Sequence, residues 1–314
     1  MKKLGVWSLL LLVLGLASIY IFIPAKIKIF ILTGAQATLP GEYRSISQEE
    51  KWELWWKDSN GKQHLKGEPF QYNETVFNLT KYGTSAAKIQ IKRKGLDLAS
   101  ILQPVSFAVD SCGAAWSFEM PETYNPLTRL KYYNASHEIK NDMLGVMKNF
   151  SHFISLPKNI YGFEIYRTST RDTILLSTKF ASPDFPGTGE LYKYFDILEK
   201  NIRKQNGNKT GYPMMNVVRQ EDSSYETQIA IPTDRKLEND GNIAYRYMVP
   251  GNFYGADVRG GQYTVNEAQR QLNLFISDYK KSKMANAYQM LVTDRTKEQD
   301  TLKWITQLRI PVVE

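Results

Sequence analysis

The sequence predicts an α+β chain in three parts: an N-terminal transmembrane helix, a domain of antiparallel strands closed by a long helix, and a second domain of two βαββ-type repeats. Three observations predict it. An uncharged apolar run opens the chain, strand-like alternation fills the middle until a helical period replaces it, and the C-terminal half carries the same strand, helix and strand plan twice. The boundaries fall at 1–25, 26–157 and 158–314.

Lys2 and Lys3 precede the stretch from Leu4 to Ala25, which contains no charged residue. As a helix it would be about 33 Å long, enough for a hydrocarbon layer of ~30 Å. Tyr20, Phe22 and Pro24 stand where a signal-peptide cleavage site would need small residues, so the expectation is a retained anchor. The flanking pairs Lys2/Lys3 and Lys26/Lys28 nearly balance, and the orientation adopted puts the N-terminus inside and the body outside a bacterial inner membrane.

The remainder is long enough for two ordinary domains, and 42% hydrophobic with 12% aromatic residues is enough to build their cores. A formal charge of +8 could attract nucleic acid or anionic lipid, but the cations are interleaved with Asp and Glu and read as a solvated surface. One cysteine, Cys112, excludes an intramolecular disulfide, and His64, His137 and His152 lack metal-ligand spacing. No metal or cofactor is expected, and with no basic recognition helix no nucleic acid is expected either.

Between 26 and 157, Lys26 to Leu32 alternates as a strand. Trp52, Trp55 and Trp56 then fall at i, i+3 and i+4 on one helical face, where they form core or wall a cavity. Strand-like runs follow at Phe70 to Leu79, Ala87 to Lys92, Ile101 to Val109 and Ala114 to Glu119, with a turn at 110–113. The closing helix is expected from Glu138 to Leu156, with Met143, Val146, Met147, Phe150 and Ile154 on one face. The order of elements, with Trp52-Glu-Leu-Trp-Trp56, Trp116-Ser-Phe118, Asn125-Pro126 and Arg129, resembles the START-like (SRPBCC) helix-grip family. That resemblance implies an apolar ligand chamber between sheet and helix and carries over no catalytic residue.

In the second half, one segment runs from Tyr161 to Thr233 and ends Ile229-Ala-Ile-Pro232, and another runs from Ala244 to Val313 and ends Leu308-Arg-Ile-Pro311. Their helices, about Gly189 to Lys204 and Thr264 to Lys281, occupy matching places, which points to duplication. Ala268, Leu272, Phe275, Ile276 and Tyr279 share one helical face that should pack on a common sheet. Gly260-Gly261 suits a tight strand-to-helix turn, and Pro250-Gly251 a turn between strands.

The run from Val249 to Tyr263, the helix after it, Tyr288 to Asp294, Trp304 and Arg309-Ile-Pro-Val312 together resemble the second half of GyrI-like (AraC-type) effector-binding domains. Gly211-Tyr-Pro213 and Ile229-Ala-Ile-Pro232 supply the first, so the resemblance covers 160–313. The partner expected here is a small organic or lipid-like ligand: the resemblance implies a cleft between the repeats that binds small organic molecules, often aromatic or cationic, met in several members by an acidic residue of the late strand. That place here holds Gln289, and an amide neither carries charge nor acts as a general base. The position two later, often tyrosine in the family, is Leu291.

The ligand-binding candidates are Glu226, Tyr254, Tyr263, Tyr288, Gln289 and Trp304, with Trp304 and Tyr288 foremost and Glu226 the surviving carboxylate. For each aromatic residue a core position is the competing reading, and for Glu226 an outward position on an alternating strand. The leading expectation is a membrane-anchored, effector-binding protein of the sensor type without a DNA-binding domain. A hydrolase of the GyrI-like type, using Glu226 with a tyrosine hydroxyl, and a non-catalytic interaction module at the membrane are the alternatives.

Overall fold

Strands with inward apolar and outward polar residues build a six-stranded sheet in the first half of the chain. The computed structural model describes residues 2–83, 86–170, 174–248 and 250–313, and Val249 of the Pro-Gly run lies outside them. It divides into two units, Met1–Leu156 and Pro157–Glu314. The first contains α1 (Lys2–Phe22), β1 (Lys28–Ala35), α2 (Leu39–Ser47), α3 (Glu49–Trp55), β2 (Phe70–Tyr72), β3 (Thr75–Tyr82), β4 (Ala87–Arg93), β5 (Leu96–Ser106), β6 (Cys112–Glu119) and α4 (Pro126–Ile154). The strands order as β1-β6-β5-β4-β3-β2, each neighbour antiparallel.

Helix α4 packs along this sheet, touching β1 and β2, and buries Met143, Val146, Met147, Phe150 and Ile154 as its period requires. It starts a full three turns before the expected Glu138. Pro126 occupies its first turn and the Asn125 side chain accepts the Thr128 N–H as N-cap. The early turns bury Arg129 and Ser136 while Leu127 and Leu130 face outward, so no apolar stripe marks them.

The tryptophans fill the space between sheet and helix. Trp52, Trp55, Trp56 and Trp116 are all buried, Trp52 stacks on Trp56 with centroids 5.7 Å apart, and Trp55 meets Phe150 of α4 edge-on at 4.8 Å. Their indole N–H groups are satisfied by the carbonyls of Ile46, Ser45 and Gln71 and by the Ser100 hydroxyl. This is packed core, with the ring geometry and polar partners that buried indoles require. A buried charge network also ties α4 to the sheet. Asp142 accepts from Arg93 at 2.7 Å, Asn73 at 2.6 Å and Thr75 at 2.5 Å, while Arg93 also reaches Glu74 and Glu138.

The expected membrane anchor and inner-membrane location are corrected by the structure. The apolar run does form α1, but among the described residues no helix is long and apolar enough to cross a membrane. Its C-terminal turn belongs to the folded unit. Ser18 and Ile19 are half-buried, the Tyr20 hydroxyl donates to the Tyr124 carbonyl, and the Arg129 guanidinium lies 4.7 Å from the Tyr20 ring and donates to the Ile23 carbonyl. The uncharged helix short of that docked turn, Leu4 to Ala17, extends roughly 21 Å against the ~30 Å of a hydrocarbon core.

The second unit contains α5 (Pro157–Tyr161), β7 (Ile165–Ser169), β8 (Ile174–Ser182), α6 (Thr188–Lys204), β9 (Met214–Arg219), β10 (Tyr225–Pro232), β11 (Ala244–Tyr247), β12 (Asn252–Arg259), α7 (Gln262–Asp278), β13 (Ser282–Lys283), β14 (Tyr288–Leu291) and β15 (Ile305–Val313). One sheet runs β11-β8-β10-β9-β14-β15-β12-β7, with β13 paired to β15. The order is symmetric about the β9–β14 junction. Each half contributes two strands, a helix and two return strands, and the first strand of each half crosses to the far edge of the other.

Both helices cover one face of this sheet. α6 buries Leu191, Phe195, Leu198 and Ile202 against Leu176, Ile229 and Ile231, and α7 buries Val265, Ala268, Leu272 and Ile276 against Ala256, Leu308 and Ile310. Because strand side chains alternate, Leu175, Met214, Ala230, Phe253, Tyr288 and Met290 gather on the opposite face. The β12-to-α7 turn requires a glycine at Gly260, whose φ is +135°, while Gly261 has φ −76°.

Candidate functional site

The uncovered face of the second sheet carries an apolar floor at the seam between the two halves. The first half supplies Leu175 from β8, Met214 from β9 and Ala230 from β10, and the second supplies Tyr288 from β14 with Met248 packed alongside. These side chains come together through register: Ala230 pairs with Met214, and Met214 with Met290. Leu175, Met214, Gln228, Ala230, Met248 and Tyr288, with Asn216, Ala285 and Asn286, surround an open cavity of about 280 Å³. Its lining is mainly apolar, with the amides of Asn216, Gln228 and Asn286 among it.

Polar groups flank the floor on the same face. On the β8 and β10 side, Lys179 Nζ lies 2.8 Å from Glu226 Oε1, both about half-exposed. Toward β7 and β12, the Tyr166 hydroxyl donates to Asp257 Oδ1 at 2.6 Å, its ring close over Gly255. Burial, reinforced by the hydrogen bond to Asp257, pushes Tyr166 up to about 12, so it keeps its proton and serves as a donor.

The sequence candidates distribute unevenly around this cavity. Tyr288 lines it. Glu226 stands on the same face at the rim, engaged by Lys179. Gln289 does not face it: its register partners Met215 and Leu308 both belong to the helix-covered cores, and its Oε1 lies 3.4 Å from Gln262 Nε2. Tyr254 also points to the helix side and packs edge-on against Phe275 of α7 at 5.1 Å. Tyr263, in the first turn of α7, is 86% exposed. Trp304 precedes β15, where its N–H donates to the Glu298 carbonyl and the Arg295 guanidinium lies 4.6 Å from its ring.

Sequence reading did not single out Leu175, Met214, Gln228, Ala230 or Met248. The available signal was that β9 and β10 carry apolar residues on both faces, although only one face can meet a helix. Met214, Val218 and Ala230 alternate with Met215, Val217, Ile229 and Ile231.

No protein-family model matches the chain, and no curated protein matches it. Among solved structures, the C-terminal domain of EcmrR shares 15% identity, covers 48% of this chain and 98% of its own, and superposes with a TM-score of 0.43. A hydrolase from Listeria innocua shares 12%, covers 48% of this chain and 91% of its own, with a TM-score of 0.37. A protein solved with tetraphenylphosphonium bound shares 12%, covers 48% and 94%, with a TM-score of 0.31. At these identities and scores the likenesses assign no ligand to this chain.

Proposed function

We propose that the second unit is an effector-binding domain of the GyrI-like kind that holds a small organic molecule at the seam of its two halves. The observation that carries this reading is the cavity of about 280 Å³ beside β9 and β14, floored by Leu175, Met214, Ala230 and Tyr288. The order of motifs over 160–313 supports it, as does the strand order symmetric about that seam. Within this reading Tyr288 contacts the ligand's apolar body, Gln228 offers it an amide, and Glu226 stays at the rim. We read the first unit as a START-like helix-grip domain whose interior is occupied by its own tryptophans.

A hydrolase finds less support. Glu226 is held by Lys179, and Tyr166 retains its proton, so neither serves as a free general base. Calorimetric titration of the intact protein with 1-naphthaleneacetamide, a neutral aromatic probe, tests the binding reading. Saturable one-site binding with a negative heat-capacity change is expected, and Ala230→Trp, which fills the cavity, should abolish it. Undiminished binding to a folded Ala230→Trp protein would place the probe elsewhere and sink this assignment.

A further inference from the structure

The cavity has a neighbour of opposite chemistry. Strand β9 continues to Arg219, but β14 begins only at Tyr288, so beyond the pairing of Met215 with Gln289 the two halves diverge. Asn216 Nδ2 donates to the Ala287 carbonyl across this opening. Past it lies a hollow of about 480 Å³ that shares Asn216, Ala285 and Asn286 with the apolar cavity.

The charged residues lining this hollow are Arg219 and Lys283, and among the described residues no carboxylate lines it. Arg219 Nη2 donates to the Ser223 hydroxyl at 3.2 Å, and Lys283 Nζ donates to the Asn273 amide oxygen at 3.2 Å. Both cations therefore rest on neutral oxygens, in contrast to Lys179, which Glu226 neutralises. Two cations and the Asn216 and Asn286 amides form a donor-rich pocket, and a planar carboxylate matches an arginine fork in two-point geometry.

We propose that the ligand of the seam is an organic anion, an aromatic or branched carboxylate whose apolar body occupies the cavity beside Tyr288 and whose charged end reaches Arg219 and Lys283. This rests on the binding reading above and adds the ligand's charge. The charged end reaches both cations through the opening between the diverging strands: Arg219, three residues from Asn216, and Lys283, bonded to Asn273 of α7, lie on the helix-covered side of the sheet, and Asn216, Ala285 and Asn286 wall both the cavity and the hollow.

The test is a matched trio on one apolar body: 1-naphthaleneacetate, 1-naphthaleneacetamide and 1-naphthaleneethylammonium, titrated into the intact protein at low salt. The carboxylate should bind about tenfold more tightly than the amide or the ammonium, as one charge-assisted contact supplies. In Arg219→Gln/Lys283→Gln its affinity should fall to that of the amide, whose own affinity stays unchanged. Equal or tighter binding of the amide or ammonium, with all binding lost in Ala230→Trp, overturns the anion assignment and leaves the cavity reading intact. A carboxylate preference that survives the double substitution also overturns it. If none of the three binds, the cavity reading falls and this inference falls with it.

Discussion

Met214 and Met290 face one another as register partners in a ladder only two residue pairs long, and that ladder joins the two halves of the second sheet. Both are buried in the apolar cluster on the uncovered face, and Met214 also lines the cavity. Removing one therefore opens a void at this short ladder, although the crossed strands β7 and β11 also tie the halves together. Met290→Ala should lower the stability of this unit by about 2–4 kcal/mol in denaturant unfolding, whereas Met290→Leu should cost under ~1.5 kcal/mol. Equal effects of the two substitutions would show that side-chain volume at the junction is unimportant.

Adjacent residues on β14 separate binding from stability. Tyr288 lines the cavity, whereas Gln289 is 5% exposed on the helix-covered face. Tyr288→Ala should weaken binding of 1-naphthaleneacetamide by about tenfold or more, since an aromatic contact of this kind contributes on the order of 1–2 kcal/mol. Gln289→Ala should leave that affinity within about twofold, and its cost should appear only in the unfolding midpoint. A larger affinity loss at Gln289 than at Tyr288 would mean that the binding face has been assigned to the wrong side of the sheet.

Which parts of this arrangement the sequence reveals depends on whether a residue's role is periodic. The α4 stripe from Met143 to Ile154 and the α7 face from Ala268 to Ile276 are legible because apolar side chains repeat every third or fourth residue, and both stripes are buried. The first turns of α4 are not, because Arg129 and Ser136 take the inward positions there. Gln289 and Tyr288 illustrate a different limit. One residue along a strand changes the face, and a family-based alignment of a four-residue strand does not by itself fix which side meets the helices. The cavity floor was hidden for a related reason: Met214, Ala230 and Leu175 look like ordinary core until the helices are known to cover the other face. The apolar N-terminal run was legible as a helix, but not the docking of its last turn through Arg129, a residue more than a hundred positions away.

The Arg93–Asp142 pair is nearly sealed from solvent, with side chains 7% and 5% exposed. Truncating one partner leaves the other's charge in the interior. Asp142→Ala should therefore destabilise the first unit by about 3–5 kcal/mol. The flanking carboxylates Glu74 and Glu138 are about half-exposed, and Glu74→Gln should cost under about 1 kcal/mol. Unfolding of the two variants in urea gives the comparison, and similar losses would show that burial does not set the strength of this network.

Glu42 on α2 is fully buried, and neither of its carboxyl oxygens meets a hydrogen-bond donor in good geometry. Burial drives its pKa up to about 7, and the adjacent Cys112 thiol offsets only part of that rise. The same burial pushes the Cys112 thiol up, so it stays protonated and supplies no competing charge. In the unfolded chain Glu42 ionises near its ordinary value of 4.5. Between that pH and about 7 the native state holds a proton that the unfolded state has released, so stability must fall as pH rises through this window. The full loss is on the order of 3 kcal/mol, complete above the folded pKa. Glu42→Gln removes the ionisation, and its stability should gain on that of the wild type from pH 4.5 to about 7 and level off above it in urea titrations to pH 8. A wild-type-minus-variant difference that stays flat across that range would show that Glu42 is already ionised in the folded protein, with a partner supplied by rearrangement around α2 and β6.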